Sequence, residues 1–124
     1  MAKTRILKAI NEAIREEMER DNNVIVLGED VVAAINGLTT GLYDQFGSER
    51  VINTPIAESV MTGMCVGAAM KGLRPILEYG INTLQYVGME MLVNQATKLK
   101  YMTGGQISIP MVVMVSGSGA GTGM

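Results

Sequence analysis

Residues 24–30 read Val24-Ile25-Val26-Leu27-Gly28-Glu29-Asp30, a short apolar run that ends in a glycine and two acids. Apolar residues that do not alternate with polar ones are typical of a strand buried on both faces, as in a parallel sheet. The glycine and the two acids then break the strand. This stretch therefore predicts an inner strand of a parallel sheet, with acidic side chains at its carboxyl end.

Helix and strand patterns alternate on both sides of this segment. Apolar residues recur at helical spacing from Thr4 to Arg20, and Thr4 is the predicted N-cap. The other predicted helices span 41–48, 58–71 and 84–102, and the other predicted strands span 50–52, 73–79 and 107–115. This order predicts one three-layer α/β domain over residues 1–124, with a mainly parallel sheet and helices on both faces.

The composition excludes several classes of function. The 124 residues carry a net charge of −2 and scattered basic residues, which argues against nucleic-acid binding. With no histidine and only Cys65, histidine-based catalysis within this chain is excluded and a Zn²⁺ site is not expected. No apolar run reaches the roughly 18 residues of a membrane span. We therefore expect a soluble protein of the cytoplasm, or of an organelle matrix after removal of a transit peptide.

Glu58 stands at the start of an apolar helix. The run from Ser59 to Leu73 that follows contains one charge, Lys71. Two interpretations of this carboxylate are open. Either it faces water and complements the helix dipole, or it is desolvated and pairs with a ligand nitrogen.

The predicted topology places Glu58 and Glu29 on the same rim of the sheet. Ligands of open parallel sheets bind beyond the carboxyl ends of the strands. The loops at residues 28–30, 53–58 and 80–83 all follow predicted strands, so they should meet at that rim. This position favours the ligand-binding interpretation of Glu58.

The last eight residues, 117–124, are rich in glycine and follow a predicted strand. Such a loop is typical of phosphate sites, but a dinucleotide site also needs a helix after the glycines. A small nucleotide-binding domain is therefore a weak hypothesis. A flexible terminus or an interrupted loop are the alternatives.

Six stretches, taken in order, resemble one known family. They read AINEAIREEMERD (9–21), VIVLGED (24–30), ERVINTPIAES (49–59), GAAMKGLRPILE (67–78), NQATKLKYMTGGQ (94–106) and IPMVV (109–113). Together they are similar to the amino-terminal half of the β subunit of thiamine-diphosphate-dependent 2-oxoacid dehydrogenases. That group includes the pyruvate, branched-chain 2-oxoacid and acetoin dehydrogenase first components. The resemblance implies a transketolase-like pyrimidine-binding domain, truncated before the family's carboxy-terminal domain.

The resemblance also implies roles for single residues. Glu58 matches the family's glutamate that hydrogen-bonds the cofactor's aminopyrimidine and so activates thiamine diphosphate. Glu29 matches an acid that lines a polar path between paired active sites, and a turn or cap carboxylate is the alternative. Leu84 stands where the family often has an aromatic ring against the pyrimidine, so apolar contact without stacking is expected. Met111 matches a position whose backbone carbonyl binds a structural K⁺.

The partners that the resemblance implies are the other chains of a dehydrogenase complex. An α subunit would hold the diphosphate and its Mg²⁺, an α2β2 assembly would pair the active sites, and an acyltransferase core would receive the product. The leading hypothesis is a β-subunit portion that is inactive alone. The alternative is a non-catalytic assembly module that retains the fold. The substrate stays open between pyruvate, a branched-chain 2-oxoacid and acetoin.

Overall fold

A parallel sheet of four strands forms the centre of the computed structural model, which describes residues 5–115 except for the side chains of residues 82 and 83. The strands are β1 (Val24–Gly28), β2 (Val51–Asn53), β3 (Arg74–Tyr79) and β4 (Val112–Val115), in the spatial order β2-β1-β3-β4. All neighbouring pairs are parallel. Every residue of β1 is buried, so the predicted inner strand is confirmed.

Helices cover both faces of this sheet. On one face, α1 (Ile6–Arg20) and α2 (Leu42–Phe46) pack on the side chains of Val24, Val26 and Val51. On the other face, α3 (Glu58–Met70) packs on Ile25, Leu27 and Leu77. The side chains of β1 alternate between the two cores, as strand geometry requires. The predicted three-layer α/β fold is therefore confirmed.

Arg50 joins the end of α1 to the start of the sheet. Its guanidinium donates hydrogen bonds to the carbonyls of Met18, Asp21 and Val24 at 2.8–3.1 Å. The carbonyls at the carboxyl end of a helix lack partners within the helix and carry partial negative charge. The Arg50 guanidinium thus satisfies two carbonyls at the end of α1 and one at the start of β1.

The predicted helix over 84–102 is wrong as a continuous α-helix. The chain instead forms a 3₁₀ helix (Asn82–Tyr86), a π-helical segment (Met91–Ala96) and α4 (Leu99–Met102). Val93, in the π-helical segment, is 45% exposed although it is apolar. Gly88 lies inside the span and is packed directly on the side chain of Tyr79, and a glycine weakens a helix interior. Tertiary contact therefore overrides the helical pattern here.

The last predicted strand is shorter than expected. The prediction covered 107–115, whereas β4 contains only Val112–Val115. Pro110 has no N–H to donate to a sheet, which explains why pairing starts after it.

Two sequence-based predictions fall outside the described residues: the Thr4 cap and the glycine-rich tail. The N-cap position of α1 in the structure is Arg5, which makes no side-chain cap bond. Within residues 5–115, none of the helices has the length and apolar character needed to cross a membrane.

Candidate functional site

The strand order predicts a crevice between the carboxyl ends of β1 and β3. These two strands are neighbours, but the chain leaves β1 towards β2 and leaves β3 towards β4, on the opposite side. Loops that diverge from adjacent parallel strands leave an opening at the carboxyl ends, which is where open α/β sheets bind ligands. The register pairs Gly28 with Glu78 at this rim.

Glu58 is buried beside this crevice. It is the first residue of α3, directly after Ala57, whose backbone is not yet helical. Although it begins a helix, only 8% of Glu58 is exposed. The free N–H groups and the dipole of the first turn favour an anion at this position. This burial favours the interpretation in which the carboxylate pairs with a ligand over the one in which it faces water.

Glu29 lies close to Glu58, as the topology predicts. Burial raises the pKa of the Glu29 carboxyl, and the charges of Glu58 and Asp30 raise it further. Among the described residues, its Oε1 atom is buried and has no hydrogen-bond partner. A carboxyl group in this state holds a proton more readily than one in water and has an oxygen available for a ligand.

Sequence reasoning missed a third carboxyl group, that of Glu78 in β3. It is 2% exposed, and its Oε2 atom has no partner among the described residues. Its Oε1 accepts a hydrogen bond of 3.3 Å from Asn36, whose Nδ2 also donates to the carbonyl of Gly80 at 3.2 Å. Burial raises the pKa of Glu78, and the Asn36 bond opposes that change.

A signal for Glu78 was present in the sequence. It is the one charge among the apolar residues that follow Pro75 in a predicted inner strand. A charge in such a strand must be buried, and buried charges are rare unless they are paired or functional. No comparable signal marks Asn36, because it lies in a loop of 31–40 whose path only the folded chain defines.

The structure places Leu84 and Met111 in different parts of the domain. Leu84 is half-buried against the core that contains Met61 and Tyr79, on the same sheet face as α3. Met111 directly precedes β4, so it lies at the amino end of the sheet, opposite the rim that carries the three carboxyl groups. Neither the pyrimidine contact of Leu84 nor the K⁺ contact of Met111 is tested by this placement, and both stay predictions.

The rim can bind a ligand that offers N–H groups or positive charge. Glu29 and Glu58 supply carboxylate oxygens, and α3 directs its first-turn N–H groups to the same end of the sheet. Glu78 lies at this end too, but alternation along β3 places its side chain on the face of Ile76, opposite that of Tyr79 and α3. Within residues 5–115, no group of three or more acidic, histidine or cysteine side chains has a geometry that could hold a metal ion. Carboxylates accept hydrogen bonds and exchange protons, so these side chains suit hydrogen bonding and proton transfer.

Comparison with known proteins identifies the family. The family model of the transketolase pyrimidine-binding domain matches residues 2–123. Similar curated proteins include the 2-oxoisovalerate dehydrogenase subunit beta of Bacillus subtilis, at 45% identity over 109 residues. The pyruvate dehydrogenase E1 component subunit beta of Rickettsia bellii is 46% identical over 110 residues. The mitochondrial subunit beta-2 of the same component from Oryza sativa is 40% identical over 121 residues.

These alignments cover most of this chain but a smaller part of each relative. They include 86%, 86% and 95% of this chain, and 33%, 34% and 32% of the three relatives. The chain thus spans about a third of the length of the proteins that it matches. The match from residue 2 to residue 123 shows that this chain belongs to the family of transketolase pyrimidine-binding domains.

Proposed function

We propose that this chain is the pyrimidine-binding part of the β subunit of a thiamine-diphosphate-dependent 2-oxoacid dehydrogenase first component. Glu58 would bind the aminopyrimidine of the cofactor and exchange a proton with it. The observation that carries this proposal is the burial of Glu58, at 8% exposure, beside the crevice between β1 and β3. The names of the similar proteins, which are subunits of pyruvate and 2-oxoisovalerate dehydrogenases, support the reaction class.

The residues at the rim fit an aminopyrimidine. Its ring nitrogen, when protonated, and its amino group are donors, and they need acceptors that are shielded from water. Glu58 is a buried acceptor, and nearby Glu29 has a buried oxygen with no partner among residues 5–115. Half-buried Leu84 belongs to the apolar core on the same sheet face as α3 and could contact the ring. When bound, thiamine diphosphate supplies the electron sink for decarboxylation of a 2-oxoacid.

The contributions of this chain would be positioning and proton transfer. Glu58 would orient the pyrimidine through a charge-assisted hydrogen bond, which is strong because bulk water is excluded. Glu29, whose pKa is raised by burial and by the nearby charges, could hold or release a proton beside Glu58. Met111 would offer its backbone carbonyl to a structural K⁺ at the other end of the sheet, away from the chemistry.

The proposal includes further chains. An α subunit would supply the diphosphate and Mg²⁺ ligands, two copies of each subunit would form an α2β2 unit, and an acyltransferase core would take the acyl group. This chain alone would then be inactive. The location would be the cytoplasm or an organelle matrix. Pyruvate and branched-chain 2-oxoacids are the favoured substrates, and acetoin is a third candidate.

A substitution at Glu58 tests the proposal. With the cognate α subunit, Glu58→Gln should lower the rate of 2-oxoacid decarboxylation at least about tenfold, because one hydrogen bond made in the transition state is commonly worth a few kcal/mol. Thiamine diphosphate binding, measured by calorimetry, should weaken as well. Glu49→Gln, an exposed site with the same change in charge, is the matched control. Full activity of Glu58→Gln would reject the role of Glu58.

The second candidate function is a non-catalytic assembly module. The exposed side chains of α3 favour it, since Val60 and Met64 are apolar yet 62% and 50% exposed. Sedimentation with and without the α subunit separates the two functions. A complex that forms but neither binds thiamine diphosphate nor responds to Glu58→Gln would favour the assembly module.

A further inference from the structure

A chain of buried hydroxyl groups connects β3 to the first turn of α3. The hydroxyl of Tyr79 forms a short hydrogen bond with Oγ1 of Thr62, and Thr62 Oγ1 contacts the backbone carbonyl of Glu58 at 2.5 Å. Tyr79 and Thr62 are both 0% exposed. Water therefore does not reach either hydroxyl group in this chain, and each depends on the other for its hydrogen bond.

The direction of these hydrogen bonds follows from the groups themselves. The carbonyl of Glu58 can only accept, so Thr62 must donate its single hydroxyl hydrogen to it. Thr62 then has no hydrogen left, and Tyr79 must donate to Thr62. Burial raises the pKa of Tyr79, which agrees with a phenol that stays protonated and acts as the donor.

Two neighbouring contacts connect the same turn of α3 to the segment after the 3₁₀ helix. Ser59 donates a hydrogen bond of 2.7 Å to the carbonyl of Val87. A Cβ atom on Gly88 would lie 2.6 Å from Thr62 Oγ1 and would collide with the Tyr79 hydroxyl. Glycine at position 88 therefore provides the space that the hydroxyl pair occupies.

The hydroxyl of Tyr79 is not needed to fill the core. Phenylalanine would place the same ring between Leu77 and the α3 side chains, without a polar atom to desolvate. The buried hydroxyl group of Tyr79 avoids an energetic penalty because Thr62 accepts its hydrogen bond. Through Thr62, this hydroxyl group is linked to the backbone carbonyl of Glu58. This is the residue whose carboxylate has the central role in the proposed function.

We propose that Tyr79 and Thr62 are positioning residues, which hold the first turn of α3 and thereby fix the backbone from which the Glu58 side chain extends. This inference rests on the proposed function of Glu58, and the hydroxyl chain itself can be tested without it. Ser59 and Gly88 complete the arrangement by fixing the adjoining segment against the same turn.

The first test uses thermal unfolding of this chain to probe the close packing of Gly88 against the hydroxyl groups of Tyr79 and Thr62. Gly88→Ala should lower the melting temperature by about 4 °C or more, since overpacking commonly costs at least about 1 kcal/mol. In a background with both Tyr79→Phe and Thr62→Ala, the two oxygens that the new Cβ would meet are gone. The effect of Gly88→Ala should then fall to about 1 °C. An equal loss in both backgrounds would overturn the proposed hydroxyl pair.

The second test measures hydrogen exchange at the amides of Met61 and Thr62, in the first turn of α3. Tyr79→Phe and Thr62→Val should each raise their exchange rates about fivefold, as loss of one hydrogen bond predicts. Thr97→Val is the matched control, because Thr97 makes the same bond to the carbonyl four residues back, at 2.6 Å, on an exposed surface. Unchanged exchange in both variants would count against positioning.

The third test uses the complex with the α subunit. Tyr79→Phe and Thr62→Val should each lower kcat about fivefold while KM for the 2-oxoacid stays within about twofold, because Glu58 is present but less well held. The double variant should be no slower than the slower single variant, since both remove the same chain of bonds. Tyr101→Phe, at a side chain that is 90% exposed, should have no effect.

The outcomes separate the two proposals. If Glu58→Gln is impaired but Tyr79→Phe and Thr62→Val keep the wild-type kcat, the positioning proposal fails and the role of Glu58 stands. If all three variants keep the wild-type kcat, both proposals fail. A loss of folded protein with unchanged kcat per folded site would show a structural role alone, and it would also overturn the positioning proposal.

Discussion

The buried carboxyl group of Glu78 should make the chain less stable as the pH rises. Burial raises its pKa above the ordinary value of 4.5, so the folded state binds this proton more tightly than the unfolded state does. At pH values below the pKa of Glu78 in the unfolded chain, this carboxyl group does not lower the free energy of unfolding. It falls as the pH rises from about 4.5 towards the folded pKa, and the full penalty is present above the folded pKa.

The variant Glu78→Gln should remove this penalty. Glutamine keeps the size of the side chain and an oxygen that accepts from Asn36 Nδ2, now at 3.3 Å from Glu78 Oε1, but it carries no charge. Because Oε2 has no partner among the described residues, ionised Glu78 loses hydration without compensation. The glutamine amide also leaves a buried polar group without a partner, but a buried charge costs more than a neutral amide, so the variant should be more stable by about 1 kcal/mol or more at about pH 8. At about pH 4 the difference should vanish.

Urea unfolding followed by circular dichroism measures this difference at several pH values. Glu16→Gln is the control, since Glu16 is exposed on α1 and its substitution makes the same change in net charge. The control should alter the free energy of unfolding by no more than about 0.5 kcal/mol at any pH. A Glu78→Gln variant that is no more stable than the wild type at about pH 8 would refute the reasoning that an uncompensated charge is buried in β3.

Three further predictions concern the core. Gly28→Ala should destabilise the chain by about 1 to 3 kcal/mol in urea unfolding, because the added Cβ would lie 2.9 Å from Val31 Cγ1 and would press on the backbone of β3. Gly67→Ala is the control and should be neutral or stabilising, because nothing lies within 4 Å of its added Cβ. Arg50→Lys should cost about 2 kcal/mol, since an ammonium cannot reach all the carbonyls that the guanidinium joins, and an unchanged midpoint would contradict this. The Cys65 thiol is fully buried and burial raises its pKa to about 12, so a thiol reagent at about pH 8 should react at least about 100-fold faster in denaturant than in native buffer.

Local sequence signals predicted most of the secondary structure. The continuous apolar run at 24–28 and the helical repeat in α1 were recognised because burial on two faces and burial on one face leave different periods in the sequence. The helices predicted over 41–48 and 58–71 end within two residues of the observed ends, and each is followed by a glycine with positive φ, Gly47 at 76° and Gly72 at 98°. The predictions failed where a local pattern was overruled by a distant contact, as at Gly88, or by the missing donor of Pro110.

The same distinction between local sequence signals and distant contacts applies to the candidate functional site. Glu58 and Glu29 could be placed on one rim from sequence, because strands of a parallel sheet all end at the same edge and both residues follow predicted strands. The pairing of Glu78 with Asn36 could not be predicted, since this hydrogen bond joins residues that are 42 positions apart. The Tyr79–Thr62–Glu58 chain had no sequence signal, because a tyrosine in a strand and a threonine in a helix are ordinary residues until the two elements pack.

The sequence by itself determined the layer architecture, the direction of the strands and the helix that begins at Glu58, since these depend on periodicity and on residues that are near neighbours in the chain. The tertiary structure alone decided that Glu58 is buried, and that Glu29 and Glu78 each have a buried oxygen without a partner among the described residues. It also decided that Tyr79 reaches the backbone of α3 through Thr62. Burial and hydrogen-bond partnership are properties of side chains brought together from distant positions, so no local pattern can specify them.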